Sequence, residues 1–126
     1  MPKSIAISEA ESRVMDVLWR VGGPAGSEDV VKALSKQQWQ ETTVKTLLSR
    51  LLKKGAIKAS RDQRRYLYVP VLTREQWLSF ESTRLLDRLF GGRVAPLVAH
   101  FGQHHRLSKQ DIADLKRLIA EMIDEG

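Results

Sequence analysis

The 126-residue sequence contains no cysteine, which excludes a disulfide framework and any metal site built on thiolates. No apolar run approaches the ~20 residues of a membrane-spanning helix. The N-terminal MPKSIAISEAESR lacks the apolar core of a signal peptide. We therefore expect a soluble, cytoplasmic protein with no membrane insertion.

Acidic residues are scarce in the first part of the chain. Residues 1–72 hold 13 Lys or Arg and 7 Asp or Glu, whereas residues 73–126 hold 8 of each, so the first part carries the net charge of +6. Between Lys45 and Arg65 there are eight cations and a single acid, Asp62. This concentration of one sign favours a polyanionic partner. The alternative is a basic face that only keeps the protein soluble.

Three helices are predicted in the first half of the chain. Ser8 and Glu11 have the spacing of a capping box, and the helix after them has an apolar face that extends to Val21, with Glu11 on the solvent side. Ser27 is predicted to cap a short second helix. The third helix is the stretch ETTVKTLLSRLLKKG, with Gly55 as its C-cap. Its apolar stripe consists of Val44, Leu47, Leu48, Leu51 and Leu52.

A β-hairpin is predicted after the third helix. Residues 57–60 and 65–69 are the two strands, and Arg61 to Arg64 form a basic turn between them. Three helices followed by a hairpin are the layout of a winged helix-turn-helix domain, whose third helix enters the major groove of DNA. Winged domains also bind proteins, so the alternative is an interaction module that docks an acidic protein partner.

The polar face of the third helix supports DNA as the partner. It carries hydroxyls and cations, and only Glu41 has the opposite sign. Hydroxyls, amides and cations are the groups that contact base edges and phosphates. We predict that double-stranded DNA contacts this face and the hairpin tip. The predicted DNA-binding residues are Thr42, Thr43, Lys45, Thr46, Ser49, Arg50, Lys53, Arg61, Arg64 and Arg65.

The second part of the chain is predicted to be helical. A capping box at Thr73–Gln76 begins a helix that ends near Phe90, residues 94–101 form a short apolar linking segment, and Ser108 caps a last helix. The fold class is therefore mostly α with a small β-hairpin. Residues 1–72 are the winged domain and residues 73–126 a helical dimerisation region, because these amphipathic helices cannot bury their apolar stripes alone. The alternative is that they fold back on the winged domain. The predicted dimerisation residues are Trp77, Phe80, Leu89, Leu97, Phe101, Ile112, Leu115 and Ile119.

Other kinds of site have little support. His100 and His104 have a spacing that two metal ligands on a helix can have, but no carboxylate or thiolate lies beside them, and we expect a solvated histidine patch rather than a metal site. No nucleophile, base and orienting group stand out, so we predict neither an enzyme nor a cofactor. Trp19, Trp39 and Trp77 lie among apolar helical positions and are predicted to be core or interface residues rather than base-stacking platforms.

Motifs along nearly the whole chain resemble the penicillinase repressor family, which includes methicillin-resistance and copper-transport repressors. The matching motifs are ISEAE at residues 7–11, VM at 14–15, VLW at 17–19, Trp39, TVKTL at 43–47, RL at 50–51, KKG at 53–55, FGG at 90–92, LV at 97–98 and LS at 107–108. The resemblance implies a homodimeric repressor of a β-lactam-response or related resistance gene, which binds inverted-repeat operators with TACA/TGTA half-sites. It also implies that Thr43, Lys45 and Thr46 contact bases and phosphates, with Arg50 nearby. In the β-lactam systems of the family, a membrane sensor protease triggers cleavage of the repressor.

Three departures from the family pattern alter these expectations. Gln40-Glu41-Thr42 stands where the family often has Ser-Pro-Lys, which removes one cation at Thr42 and places an acid at Glu41, so the resemblance does not fix the exact operator. The cysteine-rich metal motif of the copper repressors is missing. The position of the Asn-Phe cleavage site is His100-Phe101 in this chain, which is therefore the candidate cleavage site.

Overall fold

The computed structural model describes residues 5–125. These residues form six α-helices and a two-stranded antiparallel hairpin, which confirms the predicted fold class. The elements in chain order are α1 (Glu9–Val21), α2 (Ser27–Ala33), a 3₁₀ turn (Ser35–Gln37), α3 (Glu41–Lys54), β1 (Ile57–Asp62), β2 (Arg65–Pro70), α4 (Arg74–Phe90), α5 (Val94–Gln103) and α6 (Lys109–Glu125).

Helix α1 begins with the predicted capping box. The backbone N–H of Glu11 donates to the Ser8 hydroxyl over 3.1 Å, and the backbone N–H of Ser8 donates to the Glu11 carboxylate over 2.7 Å. The helix ends at Gly22, whose φ of 72° is the left-handed conformation that glycine adopts without steric cost. The solvent position predicted for Glu11 is wrong: its carboxylate turns inward and the residue is 1 % exposed. Val21, predicted to be buried, is 51 % exposed at the end of the helix.

The first three helices and the start of β1 enclose one apolar core. Val14 and Leu18 of α1, Val30 of α2, and Leu48 and Leu51 of α3 are each at most 1 % exposed. This confirms the predicted stripe of α3, except at Leu52, which is 36 % exposed because it lies at the edge of the stripe. All three tryptophans pack against this core, as predicted.

Helix α2 is capped differently from the prediction. Gly26 is the N-cap and Ser27 is the first residue of the helix. The backbone N–H of Gly26 donates to the Asp29 carboxylate over 3.0 Å. The prediction of Ser27 as the cap was therefore wrong: the helix begins one residue earlier than a Ser27 cap allows.

The hairpin is longer than predicted. Asp62 pairs with Arg65, so only Gln63 and Arg64 form the turn, and Gln63 has a φ of 60°. Ala25, just before α2, also pairs with Tyr68 of β2 through two backbone hydrogen bonds of 2.8 and 3.1 Å. This bridge fixes the hairpin, which we call the wing, against the segment between α1 and α2.

The chain divides into two compact units, one ending at Glu81 and the other beginning at Ser82, within α4. The first unit thus extends past residue 72, the end predicted for the winged domain. Trp77 of α4 belongs to this unit: its ring centroid lies 5.6 Å from that of Trp19, whose indole N–H donates to the Leu72 carbonyl over 2.9 Å.

The second unit contains a helix where a linking segment was predicted. Residues 94–103 form α5, and Pro96 is tolerated because it lies in the first helical turn, where backbone N–H groups have no partner within the helix. The capping box predicted at Thr73–Gln76 is present. Ser108 caps the last helix as predicted, and its backbone N–H also donates to the Asp111 carboxylate. In the described part of the chain, no helix is both long and apolar enough to span a membrane.

Candidate nucleic-acid interface

The polar face of α3 is exposed because the opposite face is fixed in the core. Val44, Leu47, Leu48 and Leu51 are at most 4 % exposed. Their burial directs the predicted DNA-binding residues of this helix to the surface. All of them are exposed: Thr42, Thr43, Lys45, Thr46, Ser49, Arg50 and Lys53.

One hydroxyl on this face already donates a hydrogen bond within the helix. The Thr46 hydroxyl donates to the Thr42 carbonyl one turn earlier, over 2.9 Å. A hydroxyl has one hydrogen and two lone pairs, so Thr46 can still accept a hydrogen bond, and it still presents its methyl group. It is suited to accept from a base amino group or to contact a thymine methyl.

Lys45 has a partner on its own helix. Its Nζ lies 3.3 Å from Oε1 of Glu41, and the two side chains are 59 % and 61 % exposed. An ion pair this exposed is weak, so Lys45 can leave Glu41 for a ligand at little cost. The sequence signal for this pair is the spacing of four residues on one helix, which the prediction of Glu41 as an opposing charge did not use.

Lys54, at the end of α3, pairs with a buried carboxylate. Its Nζ lies 2.5 Å from Oε1 of Glu11, whose side chain is 2 % exposed. Burial acts to raise the pKa of the Glu11 carboxyl, but the hydrogen bonds from Lys54 and Ser8 outweigh it and hold the pKa below its usual range. The pair joins the last turn of α3 to the first turn of α1.

The three arginines predicted to contact DNA from the wing differ in their surroundings. Arg61 donates to the Gln63 carbonyl over 3.1 Å and lies 5.8 Å from the centre of the Tyr66 ring. Arg65 pairs with Glu28 over 2.5 Å and lies 3.9 Å from Asp29, so it ties β2 to the first turn of α2. Arg64, in the turn itself, has no ion pair within residues 5–125. Of the three, it is the cation most available to a phosphate.

The histidines lie in or near α5, far along the chain from this face. The rings of His100 and His104 are 4.3 Å apart. Within residues 5–125, no three His, Cys, Asp or Glu side chains are grouped so that they could hold a metal ion.

Comparisons with known proteins cover nearly the whole chain. The penicillinase repressor family model matches residues 7–121. The penicillinase repressor of Bacillus licheniformis is 32 % identical over 122 residues, which cover 96 % of this chain and 94 % of that protein.

Two solved structures resemble part of the chain. The DNA-binding domain of the repressor BlaI in solution is 36 % identical, with a TM-score of 0.53, over 60 % of this chain and 93 % of that one. Monomeric Bacillus licheniformis BlaI in complex with the blaP half-operator is also 36 % identical over the same shares, with a TM-score of 0.51. A family match that covers nearly the whole chain, together with a winged-helix fold, shows that the chain belongs to the penicillinase repressor family of DNA-binding transcriptional repressors.

Proposed function

We propose that this protein is a homodimeric repressor that binds an inverted-repeat operator, with α3 in the major groove and the wing on the phosphate backbone. The observation that carries the proposal is the exposed α3 face of hydroxyls and cations, held outward by four buried apolar side chains. The BlaI complex with a half-operator supports it, because a similar domain binds half of an operator there. The regulated gene is proposed to belong to a β-lactam response or a related resistance.

The charge of the first unit suits a phosphate backbone. Arg50 and Lys53 lie on the exposed face of α3, and Arg64 lies in the wing turn. Lysine and arginine contacts to phosphates release counterions, which makes affinity fall as salt rises. Lys54 is assigned to the fold, because its partner Glu11 is buried. Arg65 stays a proposed phosphate contact beside Arg64, since its ion pairs with Glu28 and Asp29 are exposed and therefore weak.

The second unit is proposed to hold two copies together. Leu97, Val98 and Phe101 of α5 face Leu115 and Leu118 of α6 across an apolar groove. Further along α6, Ile119, Met122 and Ile123 are 55 %, 66 % and 71 % exposed. An exposed apolar stripe of this kind marks an interaction surface, and a two-fold dimer would cover it.

The predicted dimerisation residues fall into two groups. Leu89, Phe101, Ile112 and Ile119 are at least 40 % exposed and available to a second copy. Phe80, Leu97 and Leu115 are half-buried. Trp77 packs against the core of the first unit, so its proposed part in the dimer is limited to the ring surface that Trp19 leaves uncovered.

Release by proteolysis is proposed at His100-Phe101, in response to a sensor protease. This bond lies inside α5, and His104 Nδ1 is within 2.9 Å of the His100 carbonyl. A protease can therefore reach the bond only when α5 opens locally. Intact-mass analysis of the repressor from induced cells should show an N-terminal fragment that ends at His100. Full-length chain alone, beside a derepressed promoter, would contradict cleavage.

A gel shift tests the function itself. The full chain is titrated into a duplex from the promoter region of its own gene and into a random duplex of equal length, each at two salt concentrations. We expect tighter binding to the promoter at both salts and weaker binding to both duplexes at the higher salt. Equal affinity for the two duplexes would contradict sequence-specific repression. Failure to bind either duplex would favour the protein-docking alternative.

A further inference from the structure

Glu41 is a conspicuous feature of the α3 face, because a surface that approaches phosphates would ordinarily exclude an acid. It is the first residue of α3 and the one acid among the fourteen residues of that helix. Its side chain is 61 % exposed and is held within 3.3 Å of Lys45 Nζ. The simplest role for such an acid is to stabilise the positive end of the helix dipole.

The ion pair also presents an acceptor beside a donor. The Glu41 carboxylate only accepts hydrogen bonds, and the Lys45 ammonium only donates them. In the major groove, cytosine offers its N4 amino group as a donor, and the guanine paired with it offers O6 and N7 as acceptors. Cytosine N4 and guanine O6 are hydrogen-bonded to each other, so they lie about 2.9 Å apart. The 3.3 Å between Glu41 Oε1 and Lys45 Nζ is close to that spacing.

We propose that Glu41 and Lys45 together specify one C·G base pair in each half-site. Glu41 accepts from cytosine N4, and Lys45 donates to O6 or N7 of the paired guanine. The inference rests on the proposed function, because it requires α3 to lie in the major groove.

The position of Glu41 agrees with this role. The N-terminal residues of a recognition helix are those that contact base edges. Glu41 and Lys45 occupy the first and fifth positions of α3, one turn apart on the same face. Because Lys45 already neutralises the carboxylate, Glu41 can enter the groove with its counter-charge beside it.

Binding-site selection from a library of random duplexes tests the proposal. Full-length wild type, Glu41→Gln and Glu75→Gln are compared, and the last is the matched control: it removes an exposed acid from the first turn of α4. We expect wild type and the control to enrich the same half-site with a C·G pair at one fixed position. Glu41→Gln should lose the preference for cytosine there and favour adenine, since a glutamine amide pairs with N6 and N7 of adenine. The ratio of affinities for cytosine and adenine should change by about tenfold or more.

Lys45→Gln supplies an independent variant. It should lose the preference for guanine at that same base pair while its melting temperature stays that of wild type. An unchanged half-site in Glu41→Gln, or an equal change of affinity for all sequences, would overturn the inference and leave the proposed function intact. If wild type enriched no sequence at all, the proposed function would fail and the inference with it.

Discussion

Glu11 and Lys54 show how a single buried charge can join two helices. The Glu11 side chain is 2 % exposed, and it receives hydrogen bonds from Ser8 and Lys54. A buried carboxylate without such partners is costly, so removing Lys54 leaves a charge that little else can compensate. Lys53, the neighbouring residue, is exposed and has no ion pair within residues 5–125.

Lys54→Met should therefore destabilise the protein at pH 7, whereas the matched Lys53→Met should not. Because Lys54 is 38 % exposed and solvent screens the pair, we expect a loss of only about 1–2 kcal/mol. The pKa of Glu11 is lowered in the folded state, so its contribution is present above the ordinary glutamate pKa of about 4.3 and is lost as pH falls through the folded value. The difference between wild type and Lys54→Met should shrink below about pH 4. Urea unfolding at pH 7 and at acid pH measures the free energy of unfolding of each protein. Equal stability of Lys54→Met and Lys53→Met at pH 7 would contradict the structural role of Lys54.

The wing arginines lead to a second prediction at the residue scale. Arg64 is free of ion pairs within residues 5–125, while Arg65 is held by Glu28 and Asp29. Arg64→Ala should weaken binding to all DNA sequences and reduce the log–log salt slope by about 0.9, the value of one phosphate contact. Arg65→Ala should reduce the slope by less than Arg64→Ala does, because Arg65 is shared between phosphate and the exposed carboxylates of Glu28 and Asp29. Binding titrations over a salt series measure both. Equal slope changes in the two variants would contradict this difference between Arg64 and Arg65.

At the scale of elements, α3 depends on the core for its orientation. Leu48 and Leu51 are 1 % and 0 % exposed, and they belong to the core that α3 shares with α1 and α2. Any loss of this packing changes the direction in which the polar face points. The same packing keeps Lys45 and Arg50 on the outside.

Leu48→Ala should cost about 2–5 kcal/mol of unfolding free energy, because it removes a fully buried side chain and leaves a cavity. Leu52→Ala is the control on the same helix: Leu52 is 36 % exposed, and its truncation should cost less. Denaturant unfolding measures both. Loss of DNA binding by Leu48→Ala with an unchanged melting temperature would contradict a structural role.

At the scale of the whole molecule, two units divide the proposed work. The unit that ends at Glu81 carries α3 and the wing, and the unit that begins at Ser82 carries the exposed apolar stripe of α6. In the proposed dimer, binding of one half-site raises the effective concentration of the other, so the overall affinity rises without any new contact in either half. The dimer would then supply most of the operator affinity.

A fragment of residues 1–81 should be monomeric in sedimentation and should bind one half-site weakly. The full chain should be dimeric and require two half-sites with their centres about one helical turn, roughly 10 bp, apart. Ending the fragment at residue 81 retains Trp77, which packs against the core. A dimeric fragment would overturn this division of work.

The sequence by itself determined most of the first unit. Apolar spacing of 3.6 residues located α1 and α3, and the capping boxes at Ser8 and Thr73 placed two helix starts, because these signals act over four residues and need no distant partner. The Ser108 cap of the second unit was predicted in the same way. The basic polar face of α3 could be predicted for the same reason. Helix α5 could not be predicted, since an apolar stretch that contains Pro96 fits a linking segment as well as a helix.

Only the tertiary structure decided which cations of the first unit have a distant ion-pair partner. Lys54 meets Glu11 across 43 positions of sequence, and Arg65 meets Glu28 across 37, so no local pattern predicts either pair. The packing of Trp77 on Trp19 and the Ala25–Tyr68 bridge likewise join segments that are distant in the chain. Charge composition fixed how many cations the first unit has. Three-dimensional packing fixed which of them lie beside a carboxylate, because an ion pair depends on a distance that the sequence does not contain.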